Sequence, residues 1–269
     1  MIFMFSRAFK LLWLFIKVSV LNVAAYRFDM IVRILVSFMH LVADLFVIKI
    51  IFNNTSSVGG WNFEHMIVLV GVFRIVAGGI RILIVPNMRR VFEDIMEGTL
   101  DFVLLKPVHS QLLVSIREFV VWRLIDVVLG VGLCLYGCHR LNGHIPLQSV
   151  AIFVLMLGAG FTIVYCFWLM LATLCFWFVR LQNIEMVFWN VFEAGRFPIQ
   201  VYPNWIQWTL TYLIPLAFIT TFPAMAGTGD PTKISPQIVL TAIAMAAVMF
   251  VASSWFWRIG LRRYSGASA

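Results

Sequence analysis

Charge is what this sequence has least of. Only 12% of its 269 residues are Asp, Glu, Lys or Arg, and twelve of them are acidic, against 62% hydrophobic residues and a mean hydropathy of +0.96. No polar stretch between the apolar runs is long enough to make a soluble domain. Nucleotide signatures are missing too: there is no G-x-x-x-x-G-K-[ST] loop and no G-x-G-x-x-G opening a helix. ATP hydrolysis on this chain is therefore not expected. The absence of G-x-S-x-G and H-E-x-x-H removes two hydrolase chemistries. Cysteine is limited to Cys134, Cys138, Cys166 and Cys175, all in or beside apolar segments. Cys134, Cys138 and His139 have a loosely metal-like spacing but no second ligand pair, so the thiols read as small hydrophobes and no metal is expected.

What is present is apolar length. A bilayer core about 30 Å thick takes roughly 20 residues of helix per crossing, which gives this chain room for about six. The spans read as residues 30–52, 63–85, 112–136, 150–178, 184–199 and 238–257. The fold class expected is all-α integral membrane, with residues 1–269 forming one transmembrane domain. Arg7 and Lys10 followed by "LLWLFI" and "NVAA" could pass for a signal peptide cleaved after Ala25, but Lys17 cuts the apolar stretch to six residues. A helix lying in the interface, with Lys10 and Lys17 on one face, is the preferred reading.

The net charge of +8 sits at span edges rather than on one polar face, which argues against a nucleic-acid partner and for membrane lipid. With the N-terminus inside, the inner segments hold Arg7, Lys10, Lys17, Arg27, Arg89, Arg90, Lys106, Arg180, Arg258, Arg262 and Arg263, and the outer loops only Arg140 and Lys233. Both termini are therefore expected in the cytoplasm.

Pro198, Pro203, Pro215 and Pro223 punctuate the apolar stretch around residues 202–226. A re-entrant hairpin hinged at Pro215 satisfies this. Residues 205–225 as a full span, with 183–200 in the interface, is the other reading. Broken helices are tolerated at membrane depth when they pack on protein or line a cavity.

Ionisable residues inside spans are costly and mark paths, partners or mutual neutralisation. Arg33, His40 and Asp44 recur at spacings of seven and four on one stripe of the first span. Arg74 and Arg81 lie seven apart on the second, and Arg123 and Asp126 three apart on the third. These groups either neutralise one another and snorkel to headgroups, or contact an anionic substrate or a partner subunit.

Against this background "MEGTLDFVLLKPVHS", residues 96–110, stands out. Glu93, Asp94, Glu97 and Asp101 fall within nine residues. A short helix, "MRRVFEDIMEG", is expected across the inner end of spans two and three, closed by Gly98. Phe92, Phe102, Leu104 and Leu105 are apolar knobs that an ordinary solvated loop would not need. Mixed charge beside apolar knobs suits docking against a soluble protein.

"EGTLDFVLLKPV", together with "FPIQVYPNWIQWTLTYLIPLAFITTFPA", resembles the membrane subunit of ABC-2 type exporters, in the subgroup whose loop reads G-x-L-D-x-x-L-L-[KR]-P. The resemblance covers nearly the whole chain. It implies that Glu97, Gly98, Leu100, Asp101, Leu104, Lys106 and Pro107, with Arg89, Arg90, Glu93 and Asp94 just before them, form a coupling element for a separate cytoplasmic ATPase. It implies an outer gate hairpin containing Pro203, Trp205, Tyr212 and Pro215. It also implies a second permease subunit, identical or paralogous. Arg196 is unusual for a lipid-facing site and is assigned to the subunit interface. The candidate path or interface set is then Arg33, His40, Asp44, Arg74, Arg81, Glu193 and Arg196.

The expected function is the permease half of an ATP-driven exporter in a bacterial cytoplasmic membrane, with ATP and Mg held by the partner and no catalytic residue here. A secondary transporter or channel using its intramembrane charges is the main alternative, and a membrane enzyme built on His40 and Asp44 the third.

Overall fold

The computed structural model describes residues 27–142, 146–178, 184–228 and 234–264. The expected interfacial helix over residues 1–28 lies outside them, save its last two residues. Among the described residues every regular element is helical, apart from one isolated bridge between Val58 and Trp61. Helix α1 covers Arg27–Asn54 and α2 runs Phe63–Met96. Two short helices follow, α3 (Asp101–Leu104) and α4 (Ser110–Ser115). Helix α5 spans Leu124–Asn142, α6 Leu147–Leu174 and α7 Ile184–Phe192. The pair α8 (Asn204–Leu213) and α9 (Leu216–Gly227) precedes the last helix, α10 (Pro236–Arg263). Among the described residues five helical stretches are long and apolar enough to cross a membrane, and the bent α8–α9 pair would make six.

Helix α2 is the core, with 83% of its most apolar window buried. It packs on α5 at close range because glycines face each other. A Cβ at Gly130 would lie 2.6 Å from the Gly71 carbonyl oxygen, and one at Gly78 would lie 2.8 Å from Val127. Without a hydrophobic drive inside lipid, such small-residue seams are what let helices approach. Cys134 and Cys138 sit on this seam. The Cys138 thiol donates to the Gly227 carbonyl at 2.7 Å.

Two sequence expectations are corrected here. Span two does not stop at "PNMRR", and no separate helix lies across its end. The helix continues through Pro86 to Met96. Proline has no N–H to give the carbonyl four residues back, which orphans Ile82. A π turn over Ile80–Ile84 absorbs the ring, and the Ile82 carbonyl accepts the Val120 N–H at 3.0 Å instead. The second correction concerns span three, which is not continuous over 112–136. It breaks between α4 and the 3-10 turn Val121–Arg123. The broken backbone finds its partners on α2: the Asn87 amide donates to the Glu118 carbonyl at 2.7 Å and accepts the Glu118 N–H at 2.9 Å.

Residues 184–199 are helical only over α7 and a 3-10 turn, Glu193–Arg196, shorter than the continuous span expected. Their ends nevertheless reach opposite ends of the bundle. Glu185 pairs with Arg89 at 2.7 Å near the Met96 end of α2, and Gln200 and Val201 lie against Gly59 at the Asn54 end of α1. The α8–α9 pair bends by 67°. It starts beside that Asn54 end and finishes where Gly227 meets Cys138. Its interior touches the middle of α6, where a Cβ on Gly160 would be 3.1 Å from the Ile219 backbone.

Candidate functional site

All seven residues of the candidate path set line one cavity of about 690 Å³. The α1 stripe contributes Arg33, His40 and Asp44, α2 contributes Arg74 and Arg81, and the turn after α7 contributes Glu193 and Arg196. The helical spacings bring them together, because residues seven apart on one helix return to the same face.

Its chemistry is an ion-pair ladder. Asp44 is clamped between Arg74 (2.7 Å) and Arg196 (2.6 Å). Arg196 also pairs with Glu193. Arg74 reaches towards Asp126 at 3.8 Å, and Arg123 pairs with the other Asp126 oxygen at 3.4 Å. The Ser37 hydroxyl donates to Asp126. Aromatic faces hold the arginines: Trp122, in the lining, lies under both Arg123 (3.9 Å) and Arg33 (4.9 Å), and Trp189, behind it, lies under Arg81 at 4.3 Å. Phe73 faces Arg196 at 5.1 Å. Sequence reasoning noticed Arg123 and Asp126 as a pair but left them off the path. Ser37 and Trp122 carried no signal, since a serine or a tryptophan in a span is unremarked without its neighbours. With Asp44 taken by two arginines, His40 and Asp44 do not form the exclusive pair an enzyme would need.

At the other end of α2 the acid-rich segment divides into buried and exposed parts. Asp94 is only 2% exposed. It pairs with Arg117 at 2.6 Å and Arg90 at 3.4 Å, and accepts from the Thr99 hydroxyl at 3.2 Å. Its backbone carbonyl accepts the Thr99 and Leu100 N–H groups, closing the helix at Gly98 with φ +70°. Leu100 is fully buried, and Leu104 and Phe92 pack inward. Arg117, in the broken part of span three, is the residue sequence reasoning missed. What remains outward is Met96, Glu97, Phe102, Leu105, Lys106 and Pro107, with Glu93 tied to Arg90 at 3.2 Å. Phe102 and Leu105 are 70% and 80% exposed.

On the bent pair, Pro203 is the N-cap residue just before α8, Trp205 and Tyr212 are exposed, and Pro215 sits at the bend.

No curated protein matches this chain. A family model does, over residues 38–268, and its description is ABC-2 family transporter protein. That match takes in the Gly98 turn, the bent pair and the cavity lining from His40 onward, and the apolar helices make the chain a multi-pass membrane protein. The chain belongs to the ABC-2 family of transporter membrane proteins.

Proposed function

We propose that this chain is the permease half of an ATP-driven exporter, driven by a separate cytoplasmic ATPase that holds ATP and Mg. The observation that carries the reading is the continuity of α2. Its 34 residues span roughly 50 Å at about 1.5 Å per residue, well beyond a 30 Å hydrocarbon core. One continuous helix therefore carries Arg74 and Arg81 in the cavity and ends at the exposed turn around Gly98. Movement of that turn by a closing ATPase pair would be delivered to the cavity without passing through a flexible loop. Asn87 ties the broken start of span three to the same helix, so both would move together.

In this reading Glu97, Phe102, Leu105 and Lys106 meet the ATPase, while Asp94, Arg117 and Leu100 hold the turn in shape. The cavity is one side of the translocation path, completed by a second permease subunit against α1. That helix offers Ile31, Leu35, Phe38 and Met39 on exposed faces. The α8–α9 pair enters and leaves from the outer side as a re-entrant gate. Both termini are cytoplasmic, in a bacterial cytoplasmic membrane.

Orientation is the first requirement, and it is directly measurable. The four native cysteines are buried, so the background for thiol labelling is low. A cysteine at Ser56, in the exposed turn after α1, is expected to react with an impermeant maleimide in intact cells. One at Lys106 is expected to react only after the cells are broken. Labelling of Lys106→Cys in sealed cells would put the turn outside, beyond the reach of any ATPase, and end this reading.

A further inference from the structure

The cavity's charges do not balance residue by residue, and the imbalance falls on Arg81. Five arginines and three carboxylates line the space. Asp44 is shared by Arg74 and Arg196, Glu193 serves Arg196, and Asp126 is divided between Arg74 and Arg123. Among the described residues no carboxylate comes within 4.0 Å of Arg81. Its one close partner is the face of Trp189 at 4.3 Å. An aromatic face attracts a guanidinium but carries no charge to cancel it. A cation at membrane depth is costly unless it is paired. The Trp189 ring holds the guanidinium carbon without occupying its N–H fork, the group that suits bidentate capture of an oxyanion. Apart from the charged groups, Ser37 and His40, the cavity wall is apolar or aromatic, with Val32, Val36, Phe73, Ala77 and Trp122 in it.

We infer that this cavity binds an organic anion, with its carboxylate, sulfonate or phosphate group on Arg81 and its apolar body against Phe73, Ala77 and the α1 valines. The inference rests on the cavity being the substrate path and narrows the class of molecule that path takes. The excess of five arginines over three carboxylates would repel a cation, and a neutral molecule would leave Arg81 with only the more distant Asp126 and Glu193, both already paired with other arginines, as counter-charges.

A matched dye pair tests it: 8-anilinonaphthalene-1-sulfonate and its uncharged parent N-phenyl-1-naphthylamine. Each is titrated by fluorescence into the full-length chain in phosphatidylcholine nanodiscs, with empty nanodiscs subtracted. The wild type is expected to bind the sulfonate saturably. Arg81→Gln should weaken it at least tenfold, Arg81→Lys no more than about threefold, and binding of the neutral dye should not change. Equal sulfonate affinity in Arg81→Gln would overturn the assignment. So would parallel loss of both dyes, which would mark an apolar or misfolded site. Replacing a third of the lipid by phosphatidylglycerol should leave the protein-dependent sulfonate signal in place; its displacement would hand Arg81 to a lipid headgroup and overturn the proposal. Neither ATP nor an ATPase enters the assay, so its failure and failure of the exporter reading are separate results.

Discussion

Asp44→Ala is expected to lower the stability of the membrane domain by about 3–5 kcal/mol, the range for removing one partner of a buried ion pair. The side chains of Asp44 and Arg74 are 13% and 8% exposed. Asp44 is the anion for two guanidiniums, with contacts of 2.7 and 2.6 Å. Its loss leaves Arg74 with only the longer 3.8 Å approach to Asp126, and Arg196 with Glu193 alone. The cost comes from stranding cations, so removing a cation as well should recover part of it. Unfolding titrations in denaturing detergent should show Asp44→Ala as the least stable form, Asp44→Ala/Arg196→Gln between it and wild type, and Asp44→Glu near wild type. If Asp44→Ala unfolds at the wild-type midpoint, the clamp is not a structural element of the cavity.

The second large effect is expected at Asn87. This side chain is fully buried and makes three bonds, to the Leu83 carbonyl (2.6 Å), the Glu118 carbonyl and the Glu118 N–H. Leucine has similar volume but can make none of them. Leaving a buried donor or acceptor unpaired costs about 1–3 kcal/mol per group, and here the orphans are concentrated in the one non-helical stretch between α4 and α5. Asn87→Leu should therefore lose about 3 kcal/mol in total and free residues 116–120 first. Hydrogen exchange resolves this: protection at Glu118 and Val120 should collapse in the variant while the α2–α5 glycine seam stays protected. Uniform loss of protection would mean that Asn87 serves general packing and not the junction.

That the candidate residues would share one cavity was legible because helical periodicity is a strict geometric rule. Arg33, His40 and Asp44 share a stripe whatever the rest of the chain does, and a charge in lipid has few places to go. The expectation that they face protein placed them in one cavity even though their partners were unknown. Helix continuity was less legible. Pro86 and Asn87 look like a stop signal locally, and only the Val120 N–H and the Glu118 backbone, more than thirty residues away, turn them into a junction. Asp94 was grouped with Glu97 and Asp101 because acidity is local, whereas its burial depends on Arg117 from another element. The charge clamp on Arg196 was likewise invisible, since Asp44 is 152 residues distant.

The most direct test of the account is ATP turnover by the purified complex with the exposed turn altered. Phe102→Glu/Leu105→Glu changes two side chains that are 70% and 80% exposed, so the isolated variant should melt like wild type. Co-expressed with its ABC ATPase, the wild-type chain is expected to co-purify with it and change its ATP turnover, and the variant to do neither. A variant that assembles with the ATPase and modulates turnover as the wild type does would contradict the claim that this turn is where ATP hydrolysis is coupled to the membrane.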